Sequence, residues 1–468
     1  MVFSSPGFLF LFFPLFYGLY CALPQGWRNS FILLASFGFY LLGAGALTGV
    51  AFTLLLANWL LARAIGAAPP ARARALLALA VAVNLLPLVF FKYLVFLTHV
   101  ASDLTGVTLL AGAAQWGIVL PLGISFYVFH FLSYQADVHA GRIAPETSLQ
   151  KFAIYIFLFP HLIAGPIVRF AEIRGQLDVT RRRLVRSDVF WGLVLFIAGL
   201  SKKILIADPL GAVVDTLHRP EVALTTYSAW LAALCYSFQI YFDFSGYTDM
   251  AIGMARVMGF RFPRNFNRPY AARSVTEFWQ RWHMTLSRFF RDYLYIPLGG
   301  NRGGELRTCR NLLAVFILCA LWHGAAYTFL AWGIGHGLAL ALERAGLLAG
   351  ARWRLGSLPV FLCATLLWVP FRADSLGQAG KFLRAMSGIE RATPLWADAN
   401  RVLANPKVMF LLLLSGAICL AGDRRFYRVR NAALRRPLLV GAGSIVLYLL
   451  ACVSVVEGGF NPFIYFQF

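Results

Sequence analysis

Leu438-Leu-Val-Gly-Ala-Gly-Ser-Ile-Val-Leu-Tyr-Leu-Leu-Ala-Cys-Val-Ser-Val-Val456 runs for nineteen residues without a charge. A helix rises about 1.5 Å per residue, so about 20 apolar residues cross the hydrocarbon core of a bilayer. Residues 8–23, 31–50, 76–100, 191–206, 312–330, 358–369 and 408–421 reach or approach the same pattern. These runs show no polar face, which excludes a large soluble helical protein. Composition agrees: 59% of the 468 residues are hydrophobic and 13% are charged, the latter about half the share of a soluble domain. The expected fold is therefore an all-α polytopic membrane protein of about ten to thirteen transmembrane or re-entrant helices. With no polar linker and no internal repeat, residues 1–468 read as one domain, with 460–468 as an aromatic tail. Residues 8–23 lack the charged flank and the cleavage site of a signal peptide, and read as a retained helix.

The net charge is +22. In a membrane chain such an excess marks cytoplasmic loops and does not imply nucleic acid. Arg63, Arg72 and Arg74 form one basic cluster, Arg181, Arg182, Arg183 and Arg186 a second, and Arg424, Arg425, Arg428, Arg430, Arg435 and Arg436 a third. Placing the third in the cytoplasm sends both chain ends to the outer side. The seven cysteines (Cys21, Cys235, Cys309, Cys319, Cys363, Cys419 and Cys452) are scattered, which fits apolar filling and suggests neither disulfides nor a zinc site.

Polar groups inside apolar segments are costly, so they point to function. Tyr241-Phe-Asp-Phe-Ser-Gly-Tyr-Thr-Asp249 places Asp243, Ser245, Tyr247 and Asp249 close together. In Leu321-Trp-His-Gly324, His323 interrupts what reads as a spanning helix over 312–330. A second Trp-His pair, Trp282-His283, lies in a basic amphipathic stretch opened by the capping box Ser274-Val-Thr-Glu277. There Phe278, Trp282, Thr285 and Phe289 recur as one helical face, the pattern of a helix at the membrane interface. Imidazole is the side chain best suited to take a proton near neutral pH. The histidines lack the spacing of a metal site.

These stretches carry a family resemblance. Leu122-Gly-Ile-Ser-Phe-Tyr127, Phe159-Pro-His-Leu-Ile-Ala-Gly-Pro166, Tyr241-Phe-Asp-Phe-Ser-Gly-Tyr247, Thr276-Glu-Phe-Trp-Gln-Arg-Trp-His283, Arg291-Asp-Tyr-Leu-Tyr295, Gly299-Gly-Asn-Arg-Gly-Gly304 and Leu321-Trp-His-Gly324 resemble the membrane-bound O-acyltransferases. Within that family the likeness is to the branch holding the alginate O-acetyltransferase membrane subunits; relatives with the same core motifs modify peptidoglycan or cellulose, or move D-alanine onto teichoic acids. The resemblance implies helices around a central funnel or tunnel in the bacterial inner membrane, embedded in lipid. It implies an acyl thioester, acetyl-CoA, as donor substrate and no permanently bound cofactor or metal. It also implies a polysaccharide or peptidoglycan acceptor and a periplasmic SGNH-type acetyltransferase as partner.

By the same resemblance His323 is the catalytic residue and His283 its polar partner. Trp322, Trp282, Asp243, Ser245, Tyr247, Asp249, Arg291 and Asn301 are candidates for the substrate path. The tail Phe460, Phe463, Tyr465, Phe466 and Phe468 either forms an interfacial aromatic belt or, as the resemblance implies, carries the acyl group on Tyr465. A phenol of pKa about 10 is a better leaving group than a sugar hydroxyl. Outside the enzyme class, the membrane charges Asp243 and Asp249 leave a transporter of a polysaccharide or lipid-linked intermediate as the alternative, and a scaffold anchoring another acetyltransferase as a third reading.

Overall fold

A computed structural model describes residues 3–107, 117–346, 356–388, 405–458 and 462–464. Among them every regular element is a helix. Five segments are long and apolar enough to cross a membrane: Gln25–Ala67, Pro70–Thr105, Arg186–Leu217, Glu305–His323 and Pro437–Glu457. Shorter apolar helices at Gly7–Ala22, Leu358–Arg372 and Pro406–Leu420 join them. Leu438, Val456, Leu42 and Leu34 stand exposed on these helices, the surface expected of a chain whose solvent is lipid. The protein is an all-α, multi-pass membrane protein. The chain divides into two compact units, Met1–Leu193 with Ala251–Pro263, and Val194–Met250 with Arg264–Phe468. Tyr465, Phe460, Phe466 and Phe468 lie outside the described residues.

The first unit holds α1 (Phe13–Ala22), α2 (Arg28–Ala44), α3 (Thr48–Ala67), α4 (Pro70–Leu88), α5 (Leu94–Thr105), α6 (Ile124–His139) and α7 (Leu149–Phe157). The run read over 31–50 divides at Gly45, whose φ of +54° ends α2. Buried amides tie three helices together: Asn58 and Asn84 exchange side-chain hydrogen bonds of 2.9 and 2.8 Å, and Gln135 donates to both oxygens of Asn58. Such amide pairs act as glue where lipid offers no hydrophobic drive between helices. The glycines of two quoted motifs sit at backbone contacts. A Cβ on Gly123 would lie 2.7 Å from the Leu162 carbonyl oxygen, and one on Gly165 would lie 2.3 Å from Cα of His161.

The second unit begins within α8 (Arg186–Ser201). A π-helical turn, Lys202–Ala207, leads into α9 (Asp208–Leu217). Then follow α10 (Thr226–Val257), α11 (Val275–Arg281), α12 (Met284–Phe290), α13 (Glu305–His323), α14 (Tyr327–Arg344), α15 (Leu358–Arg372), α16 (Leu376–Met386), α17 (Pro406–Leu420), α18 (Asp423–Leu434) and α19 (Pro437–Gly458). α8 and α10 touch at backbone distance. A Cβ on Gly199 would lie 2.4 Å from the Gly246 carbonyl oxygen, and one on Gly246 would lie 2.7 Å from that of Gly199. α13 and α14 pack as closely, through Gly333 against the Phe316 carbonyl and Ala320.

Two expected helices are broken. The run over 312–330 is not one span: α13 stops at His323, Gly324 is extended, and α14 starts at Tyr327. The amphipathic stretch is likewise two short helices, parted at Trp282 and His283. Its capping residue acts as expected, with Ser274 Oγ accepting from the Glu277 amide at 3.0 Å, while Glu277 reaches back to the Arg273 amide at 2.7 Å. Arg281, expected to lie off the apolar face, is spent inside the protein on Glu277 and Asp423, at 2.6 and 2.8 Å.

Gly199→Ala should destabilise the second unit by about 1–3 kcal/mol, the usual cost of overpacking, because the added methyl meets backbone. Gly416→Ala, where nothing lies within 4 Å, is the control. Thermal unfolding of the detergent-solubilised chain, followed by size-exclusion fluorescence, should show a drop for the first variant alone.

Candidate active site

α13 carries His323 to its last position, where the ring is 4% exposed. Its Nδ1 lies 2.7 Å from the Cys319 carbonyl oxygen, one turn earlier. A carbonyl only accepts, so this contact assigns the proton to Nδ1 and makes Nε2 the basic nitrogen. The break at Gly324 is tightly filled: a Cβ there would lie 2.0 Å from the Phe329 ring. Rings surround the imidazole, with centroids of Trp322, Trp332 and Phe371 at 4.8, 4.9 and 5.5 Å. One turn beyond Trp332, His336 packs on that indole at 5.2 Å, and its Nδ1 accepts from Trp279 Nε1 at 3.3 Å.

His283 parts α11 from α12 in the left-handed region, at φ +41° and ψ +54°. A non-glycine residue there costs about 1–3 kcal/mol and persists only where its surroundings enforce it. Asn265 does so. Its side-chain oxygen lies 3.1 Å from His283 Nδ1 and accepts from the Thr285 amide and hydroxyl at 3.2 and 2.8 Å. Its main-chain oxygen accepts from the Met284 amide at 2.8 Å. Trp322 stands next to both imidazoles, 4.8 Å from His323 and 5.9 Å from His283. Trp282 continues the wall, 4.9 Å from Trp368 and stacked on Phe278 at 5.6 Å. Trp368 in turn donates to the Tyr270 hydroxyl at 3.1 Å, and Tyr270 donates to the Ser237 carbonyl at 2.6 Å.

The structure thus gathers His323, His283, Trp322 and Trp282. The other residues singled out fall elsewhere. Asp243 is buried and paired with Lys203 at 2.8 Å; Asp249 is paired with Lys202 at 2.5 Å. Tyr247 packs edge-on against Phe463 at 4.8 Å. The Ser245 hydroxyl is buried with no hydrogen-bond partner among the described residues. Arg291 pairs with the adjacent Asp292 at 2.6 Å, and Asn301 lies in the turn that follows; both are exposed, whereas both histidines are buried. His336, at the end of the polar stretch that continues from Leu321–Tyr327 through Trp332-Gly-Ile-Gly-His336, joins the histidine cluster. Asn265, Cys319 and Lys203 belong to these clusters and were not singled out; of these Lys203 had a signal, as a charge inside the run 191–206. Among the described residues, no group of three or more His, Cys, Asp or Glu side chains suits a metal ion.

Residues 128–349, which include both Trp-His pairs, match the family model of the membrane-bound O-acyltransferases. The chain is 39% identical to the probable alginate O-acetylase AlgI of Azotobacter vinelandii over the full length of both. It is 42% identical to the protein of that name from Pseudomonas aeruginosa, over 91% of this chain and 82% of the relative. The peptidoglycan O-acetyltransferase of Helicobacter pylori is 36% identical over 83% of this chain and 80% of its own. Similarity to these enzymes along the whole length of the chain shows that this protein is an O-acyltransferase that belongs to the membrane-bound O-acyltransferase family.

Proposed function

We propose that the enzyme takes an acetyl group from acetyl-CoA on the cytoplasmic side of the bacterial inner membrane and passes it outward for O-acetylation of a cell-envelope or exopolysaccharide polymer. The observation that carries this reading is the His323 imidazole, with its proton placed on Nδ1 by Cys319 and its ring enclosed by Trp322, Trp332 and Phe371. Nε2 takes the proton of an attacking hydroxyl as that oxygen adds to the thioester carbonyl. The tetrahedral adduct collapses with cleavage of the C–S bond, and the leaving thiolate recovers the proton from the imidazolium. A general base contributes about 10²–10⁴-fold; positioning of the two reactants supplies much of the rest. The rings keep water, a competing nucleophile, from the acyl group. His283, held by Asn265 and adjoining Trp322, serves as the second polar group of the site.

The hydroxyl that attacks is the phenol of Tyr465. A tyrosyl ester is a more reactive acyl donor than a sugar ester, because the phenol is the better leaving group. The acetyl group then passes from Tyr465 to a periplasmic SGNH-type partner, which acylates the polymer. The alginate and peptidoglycan acetylation in the names of the relatives supports the acceptor class. The transporter reading loses its supporting feature, since Asp243 and Asp249 are each held in an ion pair with a lysine.

His323→Ala should reach the membrane at wild-type levels and lose about 10²-fold or more of acetyl-CoA-dependent transfer; full activity of the purified variant would overturn the assignment. His283→Asn keeps a residue type that tolerates the left-handed region while removing the imidazole. Transfer should fall by at least about tenfold with unchanged folding, measured beside circular dichroism of the same sample. Tyr465→Phe should fold, consume no acetyl-CoA beyond background and leave the polymer unacetylated. Mass spectrometry of the wild-type C-terminal peptide should show one acetyl group on Tyr465.

A further inference from the structure

The π-helical turn Lys202–Ala207 carries Lys203 into a cluster of charges that the acyl-transfer chemistry above does not use. Lys203 is 2% exposed and Asp243 1%. The ammonium lies 2.6 Å from Asp208 and 2.8 Å from Asp243, and it donates to the Pro462 carbonyl at 3.2 Å. The Ile464 amide donates to the second oxygen of Asp243 at 3.0 Å. Between these two main-chain contacts, the buried Phe463 ring sits 4.8 Å from the Lys203 ammonium and meets Tyr247 edge-on at 4.8 Å. The chain near its C-terminus is therefore held by one carbonyl, one amide and one aromatic ring.

Buried charges in a membrane protein are expensive and need complete hydrogen bonding to persist. One lysine against two aspartates leaves an excess negative charge, and the Ile464 amide is the donor that answers it. If this cluster served only to join α10 to the π-helical turn, the Lys203–Asp243 pair would suffice. Beyond Asp208, which begins α9, its remaining contacts are with residues 462–464. Pro462 and Ile464 also line a cavity of 350 Å³, within the about 300–1,000 Å³ of small-molecule sites. Its polar wall includes Asp215, Arg372 and Tyr236, whose hydroxyl is buried with no partner among the described residues. Another wall is formed by Phe329 and Phe371, and Phe371 is a ring neighbour of His323.

We propose that Lys203, Asp243 and Asp208 form a clasp that fixes residues 462–464 through their main chain and Phe463, beside this cavity. The cavity then takes an aromatic hydroxyl and its acyl ester, and the clasp residues act as positioning residues for transfer. This rests on the reading of the tail as the acyl acceptor.

The test uses the full-length protein in detergent, by hydrogen–deuterium exchange of the C-terminal peptide together with steady-state transfer from acetyl-CoA. Asp243→Asn removes the charge; Phe463→Ala removes the ring and leaves the helices intact. Both should speed exchange at the tail by at least about tenfold, the value of a hydrogen bond to a charged group, with α13 unchanged. Both should lower kcat by at least about tenfold with KM for acetyl-CoA unmoved, as expected of residues that position the acceptor and not the donor. Tail exchange unchanged in Phe463→Ala overturns the clasp, even where Asp243→Asn fails to fold. Faster exchange with full kcat overturns the positioning role. Tyr465→Phe assayed alongside separates the two ideas: inactive, it leaves the relay standing without the clasp; active, it removes the relay itself.

Discussion

Inside a bilayer, a backbone amide or carbonyl released by a broken helix has no water to turn to, so each break needs a partner within the protein. The second unit contains two such breaks, and each falls at a Trp-His pair. At His283 the partner is Asn265, which takes up the amides of Met284 and Thr285 through its main-chain and side-chain oxygens. At His323 the helix closes on itself, with the Gly324 amide bonded to the Ala320 carbonyl, and the Phe329 ring fills the space a side chain at 324 would need. A histidine at a helix end is held by backbone on one side only. Both imidazoles thus gain positions that an uninterrupted helix would not give them, while their backbones remain satisfied.

The aromatic residues follow from the same constraint. An imidazole that works as a base must stay neutral at rest and accept charge briefly, and polar neighbours would compete for its basic nitrogen. Trp322, Trp332 and Phe371 supply contact without acceptors, and the indole donors face away from that role where their partners are known: Trp279 donates to His336, and Trp368 to Tyr270. Elsewhere the unit keeps its charges in pairs, Lys202 with Asp249 and Lys203 with Asp243 and Asp208. Gly199 and Gly246 bring α8 and α10 to backbone contact just before these pairs, which is what lets side chains on the two segments meet.

Much of this was legible in the sequence because hydrophobic length and capping chemistry are local signals. Most of the apolar runs and the Ser274 cap read correctly as elements, and the two Trp-His pairs as polar interruptions. The failures share one cause. Periodicity treats a run as continuous until a proline or a charge stops it, so 312–330 read as one span and 275–290 as one face. Gly324 and His283 end those helices through contacts with Phe329 and Asn265, which are distant from any local pattern. The run 191–206 read as apolar despite Lys202 and Lys203, whose partners lie some forty residues on. Asn58, Asn84 and Gln135 were passed over because single amides in apolar helices acquire meaning only when three meet.

The surroundings of His323 also bear on which acceptor the proposed chemistry suits. A sugar ring presents hydroxyls on several sides, and each one stripped of water needs a hydrogen-bond partner or costs about 1–3 kcal/mol. An enclosure of Trp322, Trp332 and Phe371 offers few such partners. A phenol presents one hydroxyl on an apolar ring and suits aromatic walls edge-on or stacked. The cavity on the other side of Phe371 adds a few polar groups, Arg372 and Asp215 among them, and residues Pro462 and Ile464 form part of its wall. The proposed acceptor, an aromatic hydroxyl, thus suits the walls around His323 better than a sugar does, and relatives named for alginate and for peptidoglycan share one core with this chain.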